Sequence, residues 1–154
     1  MTQRSRPWIL AFLLAIALVS PVPLAAQHEQ EWTVVTLARD GSWGVGTSEH
    51  YGPALASALR KCEATSAGQS DCGAEVTAVR QGWTLGILRG DHRVLVAAAD
   101  LTTANMDAQA RQMFLRDLYG EGLPACSCVM WVDPRGFAAS SRRPWGAART
   151  GLDK

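Results

Sequence analysis

Apolar positions fall along the chain in an order that changes period several times. Ile9 to Val19 is one unbroken apolar run of eleven residues. From Trp32 onward, short Val- and Thr-rich runs alternate with stretches of helical period. Trp32 to Ala38 predicts a strand, and Arg39-Asp40-Gly41-Ser42 a hairpin turn with Asp-Gly as its signal. Trp43 to Thr47 returns as the partner strand, and its two glycines point to a bulge or to close backbone packing. Pro53 suits the first turn of a helix, where a missing N–H costs nothing. Ala54, Leu55, Ala58, Leu59 and Cys62 form the apolar face of that helix, and Gly73 to Arg80 predicts a third strand.

The second half runs through the same order. Trp83 to Arg89 predicts a strand, Gly90-Asp91-His92 a turn and Arg93 to Ala99 a strand. Thr102 or Thr103 caps the next helix, with Asp107 near its positive end. Met106, Ala110, Met113, Phe114 and Leu118 are its expected core face, Gly120 its stop, and Cys126 to Val132 the last strand. The two halves repeat at an offset of 51 residues: Trp32-Thr33-Val34 matches Trp83-Thr84-Leu85, Leu37 matches Leu88, Asp40 matches Asp91, Val45 matches Val96 and Arg60 matches Arg111. The expected architecture is therefore α+β: two β-β-α-β units at 32–80 and 83–133, with six strands and two helices.

The N-terminal run reads as a cleaved signal peptide over 1–26. Arg4 and Arg6 supply its positive end, Pro21 and Pro23 break the apolar run, and Leu24-Ala25-Ala26 offers a cleavage site before Gln27. Eleven apolar residues are too few to span a bilayer. A short extension, 27–31, precedes the domain. Pro134 onward, with Gly136, Pro144 and Gly146, reads as a flexible basic tail over 134–154. Within it, Ser141-Arg142-Arg143-Pro144-Trp145 joins charge to an aromatic ring.

Cleavage changes the electrostatics. The full chain of 154 residues carries 15 basic and 14 acidic groups. Loss of Arg4 and Arg6 leaves 13 basic groups against the same 14 acids. That balance exerts no global pull toward nucleic acid or anionic lipid. With 47% hydrophobic residues the mature chain can build a core without disulfides, although export permits them. The localisation expected is periplasmic or secreted, with no transmembrane segment in the mature chain.

The hairpin motif Trp43-Gly44-Val45-Gly46, the segment ALRKC at Ala58 to Cys62, DCGAEVTAV at Asp71 to Val79 and CVMWV at Cys128 to Val132 resemble exported bacterial proteins grouped as domain of unknown function 4189. The resemblance covers Trp32 to Val132. It implies a short secreted or envelope protein with a duplicated unit, a cysteine ending each helix, another starting the following strand, and no established enzyme activity. This chain departs from that pattern in its second half, where Met113 takes the helix-end position and Cys126-Ser127-Cys128 opens the last strand.

Four cysteines allow three pairings. Cys62–Cys72 is favoured, because it staples a helix to its following strand across a short loop, for roughly 2.5–3 kcal/mol on the loop-closure argument. Cys126 and Cys128 are the remaining disulfide candidates. At i and i+2 on a strand their Cα atoms lie about 7 Å apart, at the edge of disulfide reach. A strained pair there would be easily reduced, which defines the alternative reading, a periplasmic thiol–disulfide factor.

Other chemistry is sparse. No His lies near a cysteine pair at zinc spacing, and no phosphate-binding glycine loop or hydrolase nucleophile motif occurs, so neither metal nor cofactor is expected. His28 lies in the N-terminal extension, and His92 reads as a solvated turn residue. His50 with Glu49 is a conceivable base at the helix entrance, a weak hydrolase reading. His50, Tyr51, Trp43 and Trp131 are the candidate binding residues, and Trp32 and Trp83 read as packing. The leading expectation is a non-enzymatic exported domain that binds a protein in the envelope or outside the cell, in an interaction or inhibitor-like role.

Overall fold

The computed structural model describes residues 31–67, 71–120 and 122–144. Residues assigned above to the signal peptide and to the last part of the tail lie outside them. The elements are β1 (Trp32–Leu37), β2 (Trp43–Ser48), α1 (Tyr51–Thr65), β3 (Val76–Val79), β4 (Trp83–Arg89), β5 (His92–Ala98), α2 (Leu101–Tyr119), β6 (Ser127–Val132) and β7 (Ala138–Pro144). The fold is α+β. One antiparallel sheet has strand order β2-β1-β3 and the other β5-β4-β6-β7.

The layers follow from where the apolar side chains point. Val35, Leu37 and Val45 of the first sheet share one core with Val129, Met130 and Val132 of the second. On its opposite face the first sheet packs Val34 against Ala54 and Ala58 of α1. The second sheet packs Leu85, Ile87 and Val96 against Ala104 and Ala108 of α2. The stack is thus helix, sheet, sheet, helix; the first half is a contiguous β-β-α-β unit, and the second has the same order with β7 added at its end.

The glycines of β2 set the closeness of α1. A Cβ on Gly46 would lie 2.0 Å from the Ala54 carbonyl oxygen, so only glycine lets the helix backbone rest on the strand. In the second unit valines occupy the equivalent surface, and α2 rests on Val94 and Val96 instead. The register identifies these equivalents. Val35 pairs with Val45, whereas Gly86, its counterpart at the 51-residue offset, pairs with Leu95. The offset therefore falls to 50 after the hairpin, and Val45 corresponds to Leu95 rather than Val96. The cause is the turn: Ala38 to Ser42 joins β1 to β2, but Gly90-Asp91 alone joins β4 to β5.

Three other expectations are corrected. Asp100, not Thr102 or Thr103, caps α2: its carboxylate accepts from the Thr103 amide at 2.9 Å and from the Thr103 hydroxyl at 2.7 Å. His92 opens β5 instead of sitting in the turn, and its ring stacks on Tyr119 at 3.8 Å. The segment read as a flexible tail contains β7, which pairs antiparallel with β6. Asp133 organises the turn between them. Its side chain accepts from the amides of Arg135 and Phe137, both at 2.9 Å, and Gly136 takes φ 77°.

Polar contacts join the two units across the stack: the Leu95 amide donates to Glu75 Oε1 at 3.5 Å, and a cluster forms at Asp71. Asp71, before β3, accepts from the Arg39 amide at 2.9 Å and from its Nε at 2.8 Å, and also from Arg93 Nη1 of β5. The hydrogen bonds from Arg39, with the Arg93 charge, lower the Asp71 pKa to about 2.

Candidate functional site

Helix α2 presents its large apolar side chains to solvent. Ala104, Ala108 and Leu115 are its buried residues. Met106, Met113, Phe114 and Leu118, expected to face the core, are 54–64% exposed. Helical geometry explains the reversal. At 100° per residue, Ala104, Ala108 and Leu115 define one stripe, Met106 and Met113 fall on the far side of the helix, and Phe114 lies on its flank, about 100° round. Small residues face the sheet because Val94 and Val96 already fill that space. What remains is an outward stripe of thioether and aromatic surface, the adaptable chemistry that protein-binding helices use.

The tryptophan candidates sit elsewhere. Trp43 packs on the inter-sheet core and lines an open groove of about 880 Å³, with Phe137 and Lys61. Lys61 Nζ donates to the Val45 carbonyl at 2.7 Å, which occupies a backbone acceptor of β2. Trp131 lies between Trp83, at 5.8 Å between ring centroids, and Phe137, at 6.0 Å. Phe137 thus meets Trp131 and lines the same groove as Trp43, and it is 63% exposed. The tail reading of residues 134–154 hid it.

His50 and Tyr51 stand at the other end of β2 from Trp43. His50 is the residue before α1, and its side chain makes no capping hydrogen bond. Tyr51 meets Trp32 edge-on at 5.9 Å, and Arg80 lies over the same indole at 4.7 Å. The structure therefore separates the four candidate binding residues into two groups.

Cys62 and Cys72 form a disulfide with Cα atoms 6.0 Å apart. Cys126 and Cys128, the other disulfide candidates, are both buried. Burial pushes the Cys126 thiol up, and the nearby Arg89 charge only partly opposes it. Cys126 borders an open cavity of about 460 Å³ along the second half of α2, whose other walls include Arg89, Gln112 and Met113. Arg89 is 6% exposed. The sequence offers one signal for it, an arginine ending a strand otherwise read as apolar.

Among the described residues no group of His, Cys, Asp and Glu side chains can hold a metal ion. None of their helices is long and apolar enough to cross a membrane. Against known protein families, curated proteins and solved structures, the chain has no match.

Proposed function

We propose that this protein is an exported binding domain that docks a protein partner through the outer face of α2 and performs no chemical step. The observation that carries the reading is the outward placement of Met106, Met113, Phe114 and Leu118 on a helix whose sheet-facing side is built from alanines. A surface of this kind costs solubility unless something covers it. The partner it fits is a protein with an apolar groove that accepts one helix face, as an inhibitor or immunity-type complex would provide.

Export is part of the proposal. It rests on the signal-like N-terminal sequence and is compatible with the Cys62–Cys72 disulfide, which an oxidising compartment maintains. Kinship with the exported bacterial family is a further part of it and rests on the Trp43–Gly46, Ala58–Cys62, Asp71–Val79 and Cys128–Val132 segments. The thiol–disulfide alternative needs a low-pKa, accessible thiol, and the buried Cys126 with its raised pKa lends it no support.

The test is photo-crosslinking from position 114 in an envelope extract, followed by titration of the captured protein. Saturable binding that is lost in the double substitution Met113→Glu and Phe114→Glu, with an unchanged melting profile, is the expected result. Equal binding by wild type and the double variant would overturn the reading.

A further inference from the structure

The two units differ at one junction, and the difference leaves a site. In the first unit the end of α1 is tied to the approach to β3 by Cys62–Cys72. In the second, the register places Cys128 opposite Ile87 as Val76 is opposite Thr36. Counting back, Pro124 takes the place of Cys72. The buried stripe Ala54, Ala58 and Cys62 of α1 corresponds to Ala104, Ala108 and Gln112 of α2. No covalent closure is available, and a cavity of about 460 Å³ occupies the junction. That volume lies within the range of small-molecule sites.

Its chemistry is defined by Arg89. The side chain is 6% exposed and borders the cavity. Nη2 donates to the Gly120 carbonyl at 2.9 Å, while Nε is buried without a hydrogen-bond partner. Among the described residues no carboxylate forms an ion pair with it. A guanidinium buried in this way is costly until an anion meets it. Gln109 and Gln112 add amide groups to the wall, and Met113 and Cys126 an apolar surface. Arg116 also lines the cavity, but its side chain is 59% exposed and pairs with Asp117 at 3.7 Å, so the buried charge is that of Arg89.

We propose that this cavity binds a small organic carboxylate, with its oxygens at Arg89 and its apolar body against Met113 and Cys126. A planar carboxylate matches the guanidinium fork, and the apolar wall favours it over a fully hydrated inorganic anion. The Cys126 thiol stays protonated because burial raises its pKa, so it places no opposing charge there. This site adjoins the proposed docking face of α2 and shares Met113 with it, but Arg89 belongs to the cavity alone, so Arg89→Gln separates carboxylate binding from partner docking.

The experiment is a titration of the full mature chain with benzoate, isovalerate and succinate, followed by backbone amide NMR and melting temperature. Benzamide serves as the neutral isostere and sulfate as the inorganic control. At least one carboxylate should shift the Gln112, Met113 and Cys126 amides saturably and raise the melting temperature, with benzamide and sulfate inert. Arg89→Gln should weaken that carboxylate about tenfold or more. Because a buried arginine can matter for folding, Met113→Trp provides a second variant. It fills the cavity with Arg89 in place and should block the carboxylate while the protein still melts cooperatively. No saturable response to any of the three carboxylates, or equal binding of benzoate and benzamide, would overturn the proposal. So would a response to sulfate alone. Equal destabilisation by Glu121→Gln and Arg89→Gln would give Arg89 a counter-charge within the chain and overturn it as well.

Discussion

A Cβ placed on Gly44 would lie 1.9 Å from the carbonyl oxygen of Ala58 and 2.7 Å from the Cys62 amide nitrogen. The obstacle is helix backbone, which cannot swing aside as a side-chain tip can. Gly44→Ala must therefore push α1 off the first sheet and lose the packing of Val34 against Ala54 and Ala58. Its expected cost is about 3 kcal/mol or more by chemical denaturation. Gly52, in the first turn of α1, has nothing within 4 Å of an added Cβ. Gly52→Ala should be neutral or stabilise by up to about 1 kcal/mol. A similar loss for both substitutions would contradict the close seating of α1.

Asp71 predicts an acid-sensitive contribution to stability. Its folded pKa of about 2 lies below the ordinary 3.8, so folding favours the carboxylate. The contribution is complete above the unfolded pKa and disappears as pH falls from about 4 toward 2. Asp71→Asn should cost about 1 kcal/mol at neutral pH, a modest figure because solvent screens the partly exposed pair. Between pH 4 and 2 the variant should also lose stability less steeply than wild type, as urea midpoints across that range would report. Parallel curves would remove this role.

The disulfide spans a sequence separation of 10 residues and is the covalent tie in the first unit. Replacing both Cys62 and Cys72 by serine should lower stability by about 2–3 kcal/mol. Alkylation of the native protein under denaturing conditions, without reductant, should label Cys126 and Cys128 and leave Cys62 and Cys72 unlabelled. Mass spectrometry of the labelled peptides gives the answer directly. Label on Cys62, or its absence from Cys126, would contradict the pairing.

The outer face of α2 makes a prediction about the isolated protein. Phe114 is 57% exposed and Met106 is 64% exposed, so neither contributes much to the core. Phe114→Gln and Met106→Gln should each change stability by less than about 0.5 kcal/mol. Leu115, 8% exposed, is the contrast: Leu115→Gln buries an amide and should cost about 2–4 kcal/mol.

Strand and helix identity were legible because Val/Thr-rich runs, the Asp40-Gly41 turn and the stop at Gly120 act locally. The paired glycines of β2 point in sequence to a bulge or to close backbone packing, and the structure shows the second, against α1. Helix orientation was not legible in α2. Its large apolar residues form the most conspicuous stripe, but tertiary packing on Val94 and Val96 selected the alanine side. The repeat hid a one-residue change of phase, since matching Val45 to Val96 ignores the shorter second hairpin. In the C-terminal segment, Asp133-Pro134-Arg135-Gly136 carries turn chemistry, but the strand after it lacks apolar alternation and so looks like a tail in sequence. Arg89 escaped notice for a different reason: what makes it a candidate is burial without a partner, a property of three-dimensional neighbours.

The two sheets exchange no strands, and only Arg80, Gln81 and Gly82 connect β3 to β4. Cutting the chain at Gln81 would yield two fragments, each with its own sheet and helix and each with one greasy sheet face laid bare. Those faces are complementary halves of a single core, so the fragments should recognise each other. The connector sets the proximity of the units more than their match, and the fold behaves as an intramolecular heterodimer.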